Sequence, residues 1–278
     1  MKFRFLLTFS ALVTITILSF SFGSCSKKNP PPVIVKDTTI IDTTIITISD
    51  TTIHLDRGLV LRYQFNNNLA DSSGNHHDGV GFGNITYAPD RSNTPNTAVS
   101  FDGSSYIKVP DDGKLSPANL TVALQLYVDV ITAETIFAKA NYDNSNSISW
   151  SAAFANGGGD PYPNSPRFGV RGPDVACGQF DPMSNSDLVY SMVDVQTKKW
   201  YHLTCVFENG VEKLYLNGIL RNAFTRTFTS AKQCTEASLM IGGFWKNNLL
   251  GFQGKMDDFR LYDRALNDHE IAQLGKGF

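Results

Sequence analysis

From Gly58 to the C-terminus, short runs of alternating or continuous apolar residues are broken by Gly, Asn, Asp, Ser and Pro clusters, roughly every 8 to 12 residues. A period of two puts successive side chains on opposite faces of a strand, so these runs predict strands and not helices. They are Leu59–Phe65, Val80–Thr86, Ala98–Phe101, Tyr106–Val109, Thr121–Val128, Thr135–Lys139, Ile148–Phe154, Arg167–Arg171, Leu188–Val193, Tyr201–Phe207, Val211–Leu216, Ile219–Thr225, Leu239–Ile241 and Lys255–Leu261. Asn209-Gly210 and Asn217-Gly218 each stand between a pair of these runs. Asn-Gly favours a two-residue hairpin because both turn residues need positive φ, so a three-strand meander is expected. Asn267 followed by Glu270 has the spacing of an N-cap and its capping-box partner and predicts a short helix through Leu274. The expected fold class is all-β, two packed antiparallel sheets with one short C-terminal helix.

The beginning of the chain follows a different pattern. Lys2 and Arg4 precede an apolar run from Phe5 to Phe22, and Gly23 and Ser24 lead into Cys25. This resembles a lipoprotein signal peptide with Phe22-Gly23-Ser24-Cys25 as lipobox, although Phe22 departs from the small aliphatic residue usual there. The resemblance implies cleavage before Cys25 and lipidation of Cys25. At about 0.8 kcal/mol per buried methylene, three acyl chains hold a protein on a membrane essentially permanently. It also implies a location in the bacterial cell envelope, on the periplasmic or the surface face of the outer membrane. The competing reading is an uncleaved transmembrane anchor, for which the run is barely long enough. From Asn29 to Arg57 the chain carries Pro30-Pro31-Pro32 and then Asp-Thr-Thr-Ile at Asp37, Asp42 and Asp50. Pro and β-branched residues favour extended backbone, so this reads as a stalk reaching up to roughly 95 Å. The alternative is a β segment that zips onto a domain edge or a second copy. Residues 1–24 are thus leader, 25–57 anchor and stalk, and 58–278 the domain.

Composition narrows the function. With 42% apolar and 18% charged residues the chain can bury a core, and 22 glycines suit many tight turns. Removing Lys2 and Arg4 leaves 22 basic against 26 acidic residues, a net charge of −4, which excludes a polyanion such as nucleic acid as the natural partner. Beyond Cys25 three cysteines remain. Cys205 lies in an apolar strand and is expected to be a buried thiol. Cys177 and Cys234 lie in loop-like sequence, and a disulfide between them is expected in an oxidising compartment. No cysteine pair has zinc-ligand spacing.

Several blocks resemble, in order, the laminin-G-like jelly rolls of the concanavalin A-like class. They are Gly58-Leu59-Val60-Leu61-Arg62-Tyr63-Gln64-Phe65 with Asp71-Ser72-Ser73-Gly74-Asn75, Val99 to Ile107, Trp200-Tyr201-His202-Leu203, Leu214-Tyr215-Leu216-Asn217-Gly218, and Met256 to Tyr262 with Arg264-Ala265-Leu266. The resemblance implies a jelly-roll sandwich and a structural calcium at Asp257, completed by main-chain carbonyls. The residues themselves read as structural. His202 shares a strand face with Thr204 and Val206, Asp71 to Asn75 have turn chemistry, and Arg260 or Arg264 can neutralise Asp257 or Asp258.

Catalysis is not expected. Retaining glycosidases need two carboxylates about 5–5.5 Å apart. The five glutamates, Glu134, Glu208, Glu212, Glu236 and Glu270, form no Glu-x-Asp-x-Glu type motif, and Glu208 and Glu212 flank a hairpin turn. No Gly-x-Ser-x-Gly elbow occurs. The expected function is glycan binding, with loop residues Tyr142, Tyr162, Trp245 and Asn247 as candidates, because sugar rings stack on aromatics while amides take hydroxyls. The alternative is adhesion to a surface protein through a sheet face or edge.

Overall fold

The computed structural model describes residues 40–41, 44–45, 53–141, 148–154, 162–179, 187–244 and 249–278. Cys25 lies outside them. The chain divides into two units, Met1–Ser49 and Asp50–Phe278. In the first, β1 (Ile40–Ile41) pairs antiparallel with β2 (Thr44–Ile45), joining the first two Asp-Thr-Thr-Ile repeats. The second unit starts ahead of Gly58 because the residues before it are tied down. Tyr262 donates to the Leu55 carbonyl (3.1 Å), Arg264 to the carbonyls of Arg57 (2.7 Å) and His54 (2.6 Å), and the His54 N–H to Glu270 (3.0 Å).

Among the described residues of this unit, two antiparallel sheets form. One holds, in spatial order, β12 (Val189–Tyr190), β11 (Arg167–Val170), β10 (Trp150–Ala153), β9 (Thr135–Ala140), β16 (Ser238–Ile241), β7 (Tyr106–Val109) and β4 (Val80–Phe82). The other runs β15 (Ile219–Thr225), β14 (Val211–Leu216), β13 (Trp200–Glu208), β8 (Leu120–Val128), β17 (Gln253–Tyr262), β6 (Ala98–Asp102) and β5 (Thr86–Ala88), with β3 (Leu59–Tyr63) against the second half of β17. This is the jelly-roll sandwich expected. Alternation builds its core: Leu203, Cys205 and Phe207 from one sheet meet Phe137, Trp150, Leu239 and Ile241 from the other. Phe137 sits edge-on to both Trp150 and Phe259.

The two Asn-Gly hairpins form as read, with φ of 48° and 86° at Asn209 and Gly210 and 55° and 75° at Asn217 and Gly218. The run Val80–Thr86 is not one strand. Gly83 takes φ 75° and the chain passes there from β4 in one sheet to β5 in the other. Composition alone does not reveal this, because both halves have β character.

Helix α1 (Asp268–Leu274) carries the capping box of Asn267 and Glu270. Leu266 and Ile271 pack with Val206, Tyr215 and Tyr262, so the helix covers the outer face of the larger sheet. This explains why His202 and Thr204, which point away from the core, are nevertheless buried. The His202 ring lies beside Phe278 and burial pushes its pKa down to about 4. Arg264 does not reach the aspartates of β17 as expected. It pairs with Glu270 (2.7 Å), whose other contacts fix the helix start to residues 54 and 267.

Cys177 and Cys234 form the expected disulfide, with Cα atoms 5.7 Å apart, and Cys205 is a buried free thiol. The loop holding Cys234 is tied from inside. The Lys139 ammonium, 0% exposed, pairs with Asp111 (3.0 Å) and donates to the carbonyls of Cys234 (2.7 Å) and Ala237. Glu212 also turns inward. It accepts from the Val170 N–H of the opposite sheet (2.8 Å) and from Arg226 (2.9 Å), and burial against that pairing leaves its carboxyl at about 7.

Glu134, between β8 and β9, is 1% exposed. One carboxylate oxygen accepts the Gln253 N–H (3.0 Å) and the other has no hydrogen-bond partner among the described residues. Burial first, and the charge of Asp129 after it, push the carboxyl up to about 8 against that one bond. Above the unfolded value of 4.5 the unfolded chain releases this proton while the folded chain holds it. The contribution is therefore complete below about 4.5 and is lost as pH rises through about 8. Glu134→Gln, which keeps an acceptor and never ionises, is expected to flatten that slope and to stabilise the domain at pH 8 by roughly 2–4 kcal/mol. Urea unfolding at pH 5 and pH 8 tests this, and equal stability changes at the two pH values would exclude a buried neutral acid here.

Candidate functional site

The strands of the smaller sheet turn large residues inward and small ones outward. Phe137, Trp150, Phe168 and Val170 enter the core, while Ala138, Ser151, Ala153 and Gly169 take the outer face. Residues directly opposite on paired strands share a face. The register therefore lays down two outer rows, Ala138–Ser151–Gly169 and Thr135–Ala153–Arg167–Tyr190. Over the short side chains of Ala138, Ser151 and Ala153 in these rows a depression of about 200 Å³ opens. Ile148, Leu188, Phe244 and Leu250 wall it, and Thr135, Ser151 and Arg167 bring its side-chain polar atoms. Phe244 packs on Ala138 and Ala140 with Ile148 beside it. An apolar groove with a few polar groups is the usual form of a small-ligand site.

Of the residues predicted to bind sugar, Tyr162 is half-buried with its ring 5.6 Å from that of Tyr190, which is in register with Arg167. Tyr142, Trp245 and Asn247 lie outside the described residues. The chain segments bearing them adjoin the groove residues Ile148 and Phe244 in sequence. Arg167, Ser151, Thr135 and the small floor residues were not singled out from sequence. Their signal was partial: β9 and β10 each carry one aromatic residue, Phe137 and Trp150, followed directly by a small one, Ala138 and Ser151.

None of the five glutamates lines this groove. Glu212 faces the core with Arg226, Glu208 pairs with Lys213 (3.9 Å), Glu270 with Arg264, Glu236 is exposed, and Glu134 turns to the Gln253 N–H. The inward turn of Glu212 was not singled out from sequence, although it precedes Leu214 and Leu216 at the core period.

A second, polar pocket of about 230 Å³ lies where β17 changes partners. On one edge β17 pairs with β6 up to Met256 and with β3 from Phe259 onward. Between them its register shifts, and Asp258 takes φ 45°. Asp258 is held by Arg62 (2.8 Å) and Arg260 (2.6 Å), which outweigh burial and keep its carboxyl below the usual range. Asp257, 9% exposed, has no cationic partner at ion-pair distance among the described residues. Its Oδ1 accepts the Asp258 N–H (2.6 Å), and burial with the charges of Asp258 and Asp90 pushes it up to about 7. Asp90, Gln64, Asn66, Thr97 and Gln125 line the same pocket. With Asp258 and Arg62 the lining thus holds three carboxylates, three carboxamides, a hydroxyl and one guanidinium, and its oxygens are donors of the kind that calcium accepts.

Among solved structures, domain 4 of AbnA, an extracellular arabinanase of family GH43 from Geobacillus stearothermophilus, in complex with arabinotriose, is 25% identical with a TM-score of 0.60. The match covers 78% of this chain and 98% of that one. The binding domain of botulinum neurotoxin DC, in complex with SialylT, is 14% identical with a TM-score of 0.56, covering 79% of this chain and 51% of that one, and shares the fold. A stretch of 83 residues, 29% of this chain, is 34% identical to Usherin of Mus musculus, and spans only 2% of that protein's length. The Laminin_G_3 profile of the concanavalin A-like lectin/glucanases superfamily matches residues 101–272, more than half of the chain. With the two-sheet sandwich, its groove and this match together, the chain belongs to the concanavalin A-like lectin/glucanases superfamily.

Proposed function

We propose that the second unit is a non-catalytic glycan-binding module, carried on the bacterial envelope by a lipidated Cys25. The observation that carries the proposal is the groove over Ala138, Ser151 and Ala153. Its apolar walls suit sugar ring faces, and its hydroxyls and guanidinium suit sugar hydroxyls. The arabinanase domain that matches over nearly its whole length is in complex with arabinotriose, which supports an oligosaccharide as the ligand class. That none of the five glutamates lines the groove supports binding without hydrolysis there. A second reading, a protein partner, is favoured by Ile219, Leu220 and Phe224, exposed apolar residues on edge strand β15. Calcium at Asp257 would neutralise a buried carboxylate at the point where β17 changes partners, and so would stiffen the sandwich away from the groove.

A glycan array followed by calorimetry is expected to find an oligosaccharide ligand. Ala153→Trp, which fills the groove from an outward position, is expected to weaken it at least ~10-fold with little change in melting temperature. Unchanged affinity in that variant would move the site elsewhere, and a silent array with specific retention of a surface protein would favour the second reading. For the anchor, labelled palmitate is expected to enter the full chain and to be lost in Cys25→Ala; equal labelling of both would refute lipidation at that residue. Millimolar calcium is expected to raise the melting temperature of the wild type by a few degrees and that of Asp257→Asn much less. No difference between calcium and chelator in the wild type would eliminate this metal site.

A further inference from the structure

We infer that the groove selects a sugar bearing a methyl group, that of a 6-deoxy ring or of an acetamido substituent, which its aliphatic walls enclose. This rests on the glycan-binding reading above and sharpens it. Among the described lining residues Phe244 is the one aromatic, and it is only 6% exposed. It packs with Ala138 and Ala140, both fully buried, and Ile148 lies against this cluster. The half-buried apolar walls are therefore Ile148, Leu188 and Leu250, all of them aliphatic.

A sugar ring gains most from stacking on the open face of an aromatic ring, which these walls do not offer. An aliphatic wall contributes by removing apolar surface from water, and the most apolar group that a sugar carries is a methyl. The shape of the groove agrees. The floor residues Ala138, Ser151 and Ala153 end at or just beyond Cβ, whereas Ile148, Leu188 and Leu250 extend well past it. A substituent that projects from a ring reaches into such a recess before the ring itself does. A hydroxymethyl in the same place would leave water and find no hydrogen-bond partner in the side chains of those three walls.

Two pairs that differ by the methyl alone test this on the wild-type full chain by calorimetry. They are L-fucose against D-arabinose, the same ring without C6, and N-acetylglucosamine against N-formylglucosamine. At least one methyl-bearing member is expected to bind about 4-fold or more tighter than its partner, and the pair that responds tells the deoxy source from the acetamido one. Ile148→Ser and Leu188→Ser are each expected to shrink that preference. Equal affinity within both pairs would overturn methyl selection and leave glycan binding standing. So would arabinotriose, which has no methyl, if it bound as tightly as the better methyl-bearing sugar. No binding of any glycan would overturn both readings. The paired comparison needs no variant, so misfolding of a substituted protein leaves the test intact.

Discussion

Burial of the aromatic faces of Phe137, Trp150 and Phe259 between two sheets is the contact on which the rest of the domain depends. Sheets packed face to face stand about 10 Å apart, so each strand must commit its large side chains to one side. The opposite side is then released from packing duty. On β9, β10 and β11 it carries Ala138, Ser151, Ala153 and Gly169 beside Thr135 and Arg167, and over the short residues the outer surface sinks into a groove. On β13 and β17 it carries Val206 and Tyr262, which α1 covers. One constraint thus produces an open face and a closed face.

The polar groups that the sandwich buries show how its ends are closed. Lys139 with Asp111, and Glu212 with Arg226, are ion pairs withdrawn from water. Such pairs contribute little net stability compared with apolar side chains, but losing one partner leaves a stranded charge and is strongly destabilising. Their geometry has a different consequence. Lys139 fixes the loop that carries the disulfide, and Glu212 links β14 to the Val170 N–H of the facing sheet. Asp71 acts similarly at the start of the domain, where its carboxylate accepts the N–H groups of Arg62, Ser73 and His77. Buried polar groups therefore set loop positions on a frame whose stability comes from apolar burial.

The glycan recognition proposed for this frame rests on the same division of labour. A floor of short side chains leaves room for a ligand. The pocket at Asp257 is built on another principle. There a strand changes its pairing partner, which opens a gap that polar side chains fill. The two sites lie on different sheets, so ligand at one does not have to disturb the other.

The sequence by itself determined the strands, the two Asn-Gly hairpins, the capped helix and the disulfide. The strands, hairpins and helix each depend on a local period or a turn preference that acts over a few positions, whereas the disulfide, which spans 57 residues, was expected from the oxidising compartment and the loop-like setting of its two cysteines. The core face of β13 was legible too, since Leu203, Cys205 and Phe207 alternate along it, but not that Glu212 turns inward. Only the tertiary structure decided that Val80–Thr86 divides between two sheets, that Arg264 serves Glu270 and not the β17 aspartates, and that His202 is buried under the C-terminus. It alone aligned Thr135, Ala153 and Arg167 in one row, because strands distant in the chain meet through hydrogen-bonded register. A single strand's alternation says which face a side chain takes, but not which neighbours share that face.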